Sequence, residues 1–507
     1  VSNDGLPEVR AVIDPAFTIA DLDPRIAGSF VEHMGRAIYG GLWEPGHPTA
    51  DADGWRGDVL ELVRELGPTI VRYPGGNFLS GYDWEDGIGP REERPIRLDL
   101  AWRSLEPNLV GTDEFLAWAR LAGVEALLAV NLGTRGVDAA RAMVEYVNRP
   151  AGSRWADRRV ANGHPEPWGV HTWCLGNEMD GHWQIGQKTA VEYGRLAAEA
   201  GKAMKLVDPT IELVLAGSSG AFMPTFGAWD DTVLDLAFEV TDHLSVHAYF
   251  DETDSPDLDH WLAVPLAFER HIRSVAAIAD AVAARRRSRR RIGLAVDEWN
   301  VWHQSRNRHT RPLTEDFVRA PGIAEDEYSL ADALMVGGLL LALLRNADRV
   351  RIACLAQLVN VIAPIRTRDG GPAWREATFF PVRDMFRAAR GTVLRVEPAG
   401  PTYRTTTQGD VPALDGVAIL DPSGERLTLL LLNRVAGEVA FRAPIRDMGP
   451  MRVCRHTVLT GPDPGAINTP DRPDAVVPVA GHGASMDGGQ LRVTLPGRSW
   501  TVIELGP

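Results

Sequence analysis

Cysteine is scarce in this chain: only three occur among 507 residues, at positions 174, 354 and 454. An odd, sparse set makes no disulfide framework, and no C-x-x-C pair is present for zinc or redox work. Cys174 and Cys354 sit inside apolar runs, where cysteine acts as a small hydrophobe. That usage fits a reducing compartment and predicts a cytoplasmic protein. Long apolar runs are missing too; none approaches the ~20 residues of a membrane span. The opening "VSNDGLPEVR" has no basic stretch leading into an apolar one, so it does not read as a targeting segment. Positive charge is in deficit, with a formal net charge of −15. Such a surface repels nucleic acid phosphates and anionic membranes, which excludes both as partners and does not penalise neutral sugars. The histidines are scattered, with no H-E-x-x-H, so no metal site is predicted. There is no G-x-S-x-G elbow for a serine nucleophile; "GSSG" (217–220) reads as a turn after a strand. No G-x-G-x-x-G opens a helix, which weakens a dinucleotide reading.

What is present is a long alternation. Hydrophobic residues make up 45% and charged residues 24%, ordinary for a globular enzyme. The length allows one large domain and a smaller one. Strand-like runs recur as "GSFVEH", "TIVRYP", "EALLAVN", "VHTWCLGNE", "IELVLAGS", "HLSVHAYF", "IGLAVDEW" and "VRIACLAQL". Between them lie helical patterns such as "WRGDVLELVREL", "TDEFLAWARLAG" and "DALMVGGLLLALLRNAD", with apolar positions every three or four residues. Eight strands alternating with helices predict an α/β fold, a closed (β/α)8 TIM barrel, with an open doubly wound sheet as the alternative. After about residue 385 the helical period disappears. Short strands such as "RLTLLLLNR", "GEVAFRAP" and "SWTVIEL", split by Pro/Gly/Asp turns, predict an all-β, jelly-roll-like sandwich. The N-terminal "EVRAVIDPAFTIA" is strand-like and can pair with it. The expected division is a barrel over 19–384 and a sandwich of 1–18 plus 385–507. The basic run "RRRSRRR" (285–291) ends a predicted helix, where the dipole favours cations; it reads as a solvated helix end or subunit contact.

In a (β/α)8 barrel the active site lies at the C-terminal strand ends. The first predicted strand ends at Glu32 and His33, the second at Arg72 and Tyr73 before the "PGGN" turn with Asn77. The third ends at Asn131, the fourth at Asn177 and Glu178, and the sixth carries His247 and Tyr249. The seventh ends at Glu298, and the eighth at Gln357 with Asn360 beyond. Each has a bland alternative: Glu32 satisfied by Arg72, Asn77 serving a turn, Asn177 capping, His247 a core histidine, and Tyr249 and Trp302 packing aromatics. The pair Glu178 and Glu298, each at the tip of an apolar run, points instead to acid/base chemistry. Two carboxylates in an aromatic-lined, uncharged cleft point to glycoside hydrolysis.

The segments "GSFVEHMGRAIYGGLWEPGHP", "VRYPGGNFLSGYDWEDGIGP", "LDLAW", "WCLGNEMDG", "DEWNVW" and "CLAQLVNVIAPI" resemble glycoside hydrolase family 51, the α-L-arabinofuranosidases, over essentially the whole chain. The resemblance implies a barrel with a sandwich, a retaining mechanism, no cofactor, and exo release of terminal α-L-arabinofuranosyl residues from arabinose-containing oligo- or polysaccharides. It implies Glu178 as acid/base and Glu298 as nucleophile. Glu32, Asn77, Asn177, Tyr249 and Gln357 would bind the furanose, Arg72 and His247 would orient the carboxylates, and Trp102 and Trp302 would line the pocket. It also implies a homo-oligomer, expected to be a hexamer, and a place in arabinan degradation. Departures from the family pattern, Ala248 and Phe250 beside Tyr249, His182, and His303, bear on the aglycone side. An endo-β-glucanase or other furanosidase of the same family, and a catalytically silent carbohydrate-binding protein, are the alternatives.

Overall fold

Eight parallel strands close on one another in chain order: β1 (Gly28–Phe30), β2 (Ile70–Tyr73), β3 (Glu125–Val130), β4 (Thr172–Leu175), β5 (Glu212–Leu215), β6 (His243–Phe250), β7 (Gly293–Val301) and β8 (Val350–Ala356). The ring is sealed where Cys354, Leu355 and Ala356 of β8 pair with Gly28, Ser29 and Phe30 of β1. The computed structural model describes residues 5–306 and 311–507; residues 1–4, the first of the segment assigned above to the sandwich, lie outside the described residues. The outer ring is α1 (Gly57–Leu66), α2 (Thr112–Ala122), α3 (Val137–Asn148), α4 (Ala190–Val207), α5 (Ala228–Ala237), α6 (Pro265–Arg285), α7 (Leu330–Arg345) and α8 (Phe379–Ala388). This is the (β/α)8 barrel.

The sequence explains these elements locally. All four residues of β2 and of β4 are buried, as expected of parallel strands covered on both faces. Helix α1 buries Val59, Leu60, Leu62, Val63 and Leu66 along one stripe and stops at Gly67, which takes a left-handed φ of 82°. Helix α4 starts at a capping box: the Glu192 backbone N–H donates to the Thr189 hydroxyl, and the Thr189 N–H donates to the Glu192 carboxylate. Helix α7 is buried from Leu330 to Leu344, because it lies between the barrel and the sandwich. The run "VHTWCLGNE" was expected as strand through residue 178, but β4 ends at Leu175. Gly176 and Glu178 both take positive φ, 84° and 44°, which turns the chain out of the sheet and brings Glu178 over the barrel mouth.

The sandwich has two sheets. One orders the strands Glu8–Arg10, Val439–Pro444, Gln490–Leu495 and Ser485–Asp487. The other contains seven strands, with Thr18–Asp21 paired antiparallel to Thr392–Leu394 at one edge. N-terminal residues therefore enter both sheets, and Val9 packs in one core with Phe441, Val493, Leu429 and Ile503. The basic run is used locally. Arg285 pairs with Asp231, Arg286 with Glu239 and Arg291 with Asp348, while Arg290 donates to the carbonyls of Phe238 and Thr241. These pairs tie the end of α6 to its neighbours.

Candidate active site

Glu298 projects from β7 into the barrel mouth and is buried. Arg72 Nη1 on β2 donates to its Oε1 at 2.5 Å, and the Tyr249 hydroxyl on β6 donates to its Oε2 at 2.8 Å. Arg72 Nη2 also donates to Asn177 Oδ1 at 2.6 Å, so one guanidinium fixes the end of β4 and the carboxylate of β7 together. Asp297 was not anticipated. Neighbouring strand residues ordinarily face opposite ways. Here the register shifts between Val296 and Trp299 on one side of β7, and between Ser245 and His247 of the adjacent β6. Both acids then reach the same cations: Asp297 Oδ2 lies 3.2 Å from Arg72 Nε and Oδ1 lies 3.6 Å from His247 Nε2. Burial opposes the charge on Asp297, but Arg72 and His247 outweigh it and hold the carboxyl well below the usual range.

Glu178 is gripped differently. His247 Nδ1 lies 3.0 Å from its Oε1, and the indole N–H of Trp183 donates to its Oε2 at 2.6 Å. Burial raises the Glu178 pKa; the His247 bond opposes this and the nearby Glu298 charge adds to it. His247 stands between the two acids, 3.5 Å from Glu298 Oε2. Burial pulls the imidazole down, but Glu298, Asp297 and Glu178 push its pKa up to about 10. It is therefore an imidazolium at neutral pH, with both ring nitrogens facing carboxylates. One ligand-type atom from each of Glu178, His247 and Glu298 lies within 4.8 Å of the others.

Glu32 is a third buried acid. It does not pair with Arg72. The Phe78 backbone N–H and the Trp102 indole N–H both donate to its Oε1 at 2.9 Å, and the backbone N–H of Glu32 donates to Gln357 Oε1 at 3.1 Å. Burial, with the Glu298 charge, pushes its pKa up to about 8, so it is a neutral acid at pH 7. The "PGGN" turn exists for this contact: a Cβ on Gly76 would stand 2.6 Å from Glu32 Oε2. Asn77 follows, its Oδ1 accepting from Gln184, whose own Oε1 accepts from Ser80.

These groups share one cavity of about 630 Å³, lined by Glu32, Asn77, Trp102, Glu178, Tyr249, Glu298, Trp302 and Gln357, and on a further side by Trp183, Phe222, Asp251 and Asp254. Trp302 meets Tyr249 edge-on, ring centroids 5.0 Å apart. Arg72, Asn177 and His247 stand behind this lining and hold it. Other strand-end candidates serve the scaffold. Asn131 donates to the Tyr82 carbonyl and accepts from the amides of Gly133 and Thr134. Asn360 donates to the Arg36 carbonyl, and His33 lies between Glu106 and Tyr73. Sequence reasoning missed Asp297, Trp183 and Gln184. An acid inside the apolar run "LAVDEW" was the available signal for the first; the other two lie in a loop with no periodic pattern.

The chain matches the α-L-arabinofuranosidase 1 domain over residues 62–262 and the α-L-arabinofuranosidase C-terminal domain over residues 297–499. It is 50% identical to the intracellular exo-α-(1→5)-L-arabinofuranosidase of Halalkalibacterium halodurans, over 98% of each chain. It is 48% identical to the intracellular exo-α-(1→5)-L-arabinofuranosidase 1 of Bacillus subtilis, over 99% of each. A solved family 51 α-L-arabinofuranosidase from Bifidobacterium longum superposes with a TM-score of 0.93 at 44% identity, covering 98% of this chain and 99% of that one. With this identity and coverage, the chain belongs to the α-L-arabinofuranosidases of glycoside hydrolase family 51.

Proposed function

We propose that this chain, an exo-acting α-L-arabinofuranosidase, releases terminal α-L-arabinofuranosyl residues by a retaining double displacement at Glu298 and Glu178. The observation that carries the mechanism is the closeness of the two acids: a carboxylate oxygen of each lies within 4.8 Å of the other. Retaining pairs stand ~5–5.5 Å apart, whereas inverting pairs need ~6.5–9.5 Å to admit a water. In the first step Glu298 attacks the anomeric carbon while Glu178 gives its proton to the departing glycosidic oxygen. An arabinosyl ester forms on Glu298. In the second step Glu178, now a carboxylate, takes a proton from water as the water attacks the same carbon and the ester bond breaks. Arg72 and Tyr249, both donors to Glu298, hold and aim it. Neutral Glu32 accepts or donates to a sugar hydroxyl without adding a second negative charge, and Asn77 and Gln357 offer further amide contacts from the lining, with Asn177 held behind it by Arg72. Trp102 and Trp302 bound the sugar's faces. Early product followed by NMR with nitrophenyl α-L-arabinofuranoside keeps the α configuration; a β-configured first product refutes the assignment.

The finer properties follow the same reading. Relatives named as intracellular exo-α-(1→5)-L-arabinofuranosidases support arabinan-derived oligosaccharides as substrates and a cytoplasmic location. No helix among the described residues is long and apolar enough to cross a membrane. A homo-oligomer, a hexamer, is the proposed assembly. Exposed Ile96, Leu98 and Leu100 around a surface hairpin support self-association. Light scattering giving a monomer mass of 55.4 kDa rejects it. The proposed unit boundaries, 19–384 for the barrel and 1–18 plus 385–507 for the sandwich, are open to limited proteolysis.

A further inference from the structure

Glu178 has two oxygens, and each already has a donor. Oε1 faces His247 and, through it, the nucleophile side of the cavity. Oε2 faces Trp183, whose indole N–H donates to it at 2.6 Å. The glycosidic oxygen receives its proton from this carboxyl, whose Oε2 is turned to the side of the cavity lined by Trp183 and Phe222. Trp183 is placed there by construction. Its ring lies directly on Gly181, where a Cβ would come within 2.6 Å of the indole. Its outer face stacks on Phe222 from the loop after β5, centroids 6.3 Å apart and planes 29° from parallel. Phe222 is 73% exposed and rests on Gly220, where a Cβ would meet its ring at 2.5 Å. Two bare backbone positions thus seat two rings at the cavity rim, and one of the rings is hydrogen-bonded to the acid.

We propose that Trp183 is a positioning residue: its indole N–H orients Glu178 and sets how readily that carboxyl gives up its proton to the departing sugar. The inference rests on the acid/base role of Glu178 proposed above. An N–H donor favours the carboxylate over the acid, because the ionised form accepts the stronger bond. While Glu178 is protonated the bond is weak; as the proton moves to the leaving oxygen the bond strengthens and stabilises the charge left behind. The same donor then tempers Glu178 as a base in the second step. Other charged or titratable groups face Glu178 from every side: His247 and Tyr249 on β6, Glu298 on β7, with Arg72 on β2 and Glu32 beyond β1 acting through Glu298. Asp251 and Asp254 line the same cavity. None of these is altered by a change at Trp183, so a shift on its removal reports the indole bond.

The test is the pH dependence of kcat/KM for Trp183→Phe, with Gly181→Ala and Phe222→Ala beside it. Trp183→Phe keeps a ring over Gly181 and removes the N–H. Gly181→Ala keeps the tryptophan and displaces it. Both should move the alkaline limb upward by about one pH unit, the size of one hydrogen bond to a charged group. Phe222→Ala leaves the N–H in place; it should raise KM for arabino-oligosaccharides and leave the limb where it is. Glu178→Ala separates the inference from the reading beneath it. If Glu178 is the acid, that variant loses the limb that moves in Trp183→Phe; a limb set by Glu32 or His247 does not move with Trp183. A limb that vanishes in Glu178→Ala but stays fixed in both Trp183→Phe and Gly181→Ala, with only KM raised, overturns the inference and leaves Trp183 a stacking surface. A limb that moves in Trp183→Phe yet persists at its native position in Glu178→Ala overturns the acid assignment itself.

Discussion

Arg72 on β2 and Glu298 on β7 are joined by a 2.5 Å hydrogen bond across the barrel mouth, with β8 and β1 between their strands. The guanidinium also reaches Asn177 and stands beside Asp297, so its planar fork serves three partners at once. Lysine keeps the charge and cannot reproduce the fork. Arg72→Lys should lower kcat by about 100-fold through misplacement of Glu298, with a smaller change in KM. Steady-state kinetics check this; a loss under about threefold contradicts the role.

The neutral state of Glu32 has a thermodynamic signature. Its pKa rises from 4.5 to about 8 on folding, so the native state holds a proton that the unfolded state releases. The resulting stability is fully present below the unfolded value and falls as pH rises through the folded one. In that window the slope approaches ~1.4 kcal/mol per pH unit. Glu32→Gln cannot titrate and should flatten this part of the profile. Urea midpoints at about pH 5 and about pH 8 decide it, and equal slopes for the two proteins refute it.

His247 moves the same way at higher pH. Its pKa rises from 6.5 to about 10, so its contribution is intact below the lower value and disappears as pH passes the upper one. A neutral imidazole leaves Glu178 and Glu298 facing each other without a cation between them. His247→Asn should lose activity at neutral pH, by at least tenfold, and should lack the alkaline loss of stability seen in the native protein. Thermal unfolding from neutral to alkaline pH measures it.

The N-terminal segment is structural. Ile13 is fully buried in the core of the sandwich, and its backbone N–H donates to the carbonyl of Pro444. Ile13→Ala should cost ~2–5 kcal/mol. Denaturant unfolding checks this, and a change under about 1 kcal/mol would place the residue outside the core.

Much of this molecule was legible in its sequence, for physical reasons that also mark the limit. Buried parallel strands read as short apolar runs, so the eight barrel strands appeared as such, and polar residues at the tips of all but the fifth marked the mouth. Glu178 and Glu298 stood out because an acid at such a tip is costly unless it works. Asp297 did not stand out, since alternation along a strand would turn it away from Glu298. Only the register shifts in β6 and β7 bring it to Arg72 and His247. Trp183 and Gln184 lie in a loop whose path depends on the left-handed turn at Glu178, which no periodicity announces. The bland alternative for Glu32, a pairing with Arg72, fails for a similar reason: the acid is satisfied by a backbone amide and an indole brought in by loops, and Arg72 is already committed to β4 and β7.

The division of labour between Glu298 and Glu178 is tested most directly by the configuration of the sugar azide formed when azide rescues each alanine variant on an activated aryl α-L-arabinofuranoside. Glu178→Ala still forms the ester on Glu298, and azide needs no base to capture it. The product should be the arabinofuranosyl azide of retained configuration, after a burst of aryl alcohol. Glu298→Ala has no nucleophile, so azide takes the vacated space, attacks the anomeric carbon itself and gives the inverted azide. Retained azide from Glu178→Ala with inverted azide from Glu298→Ala is the predicted result; the reverse pattern, or retained azide from both, contradicts the account.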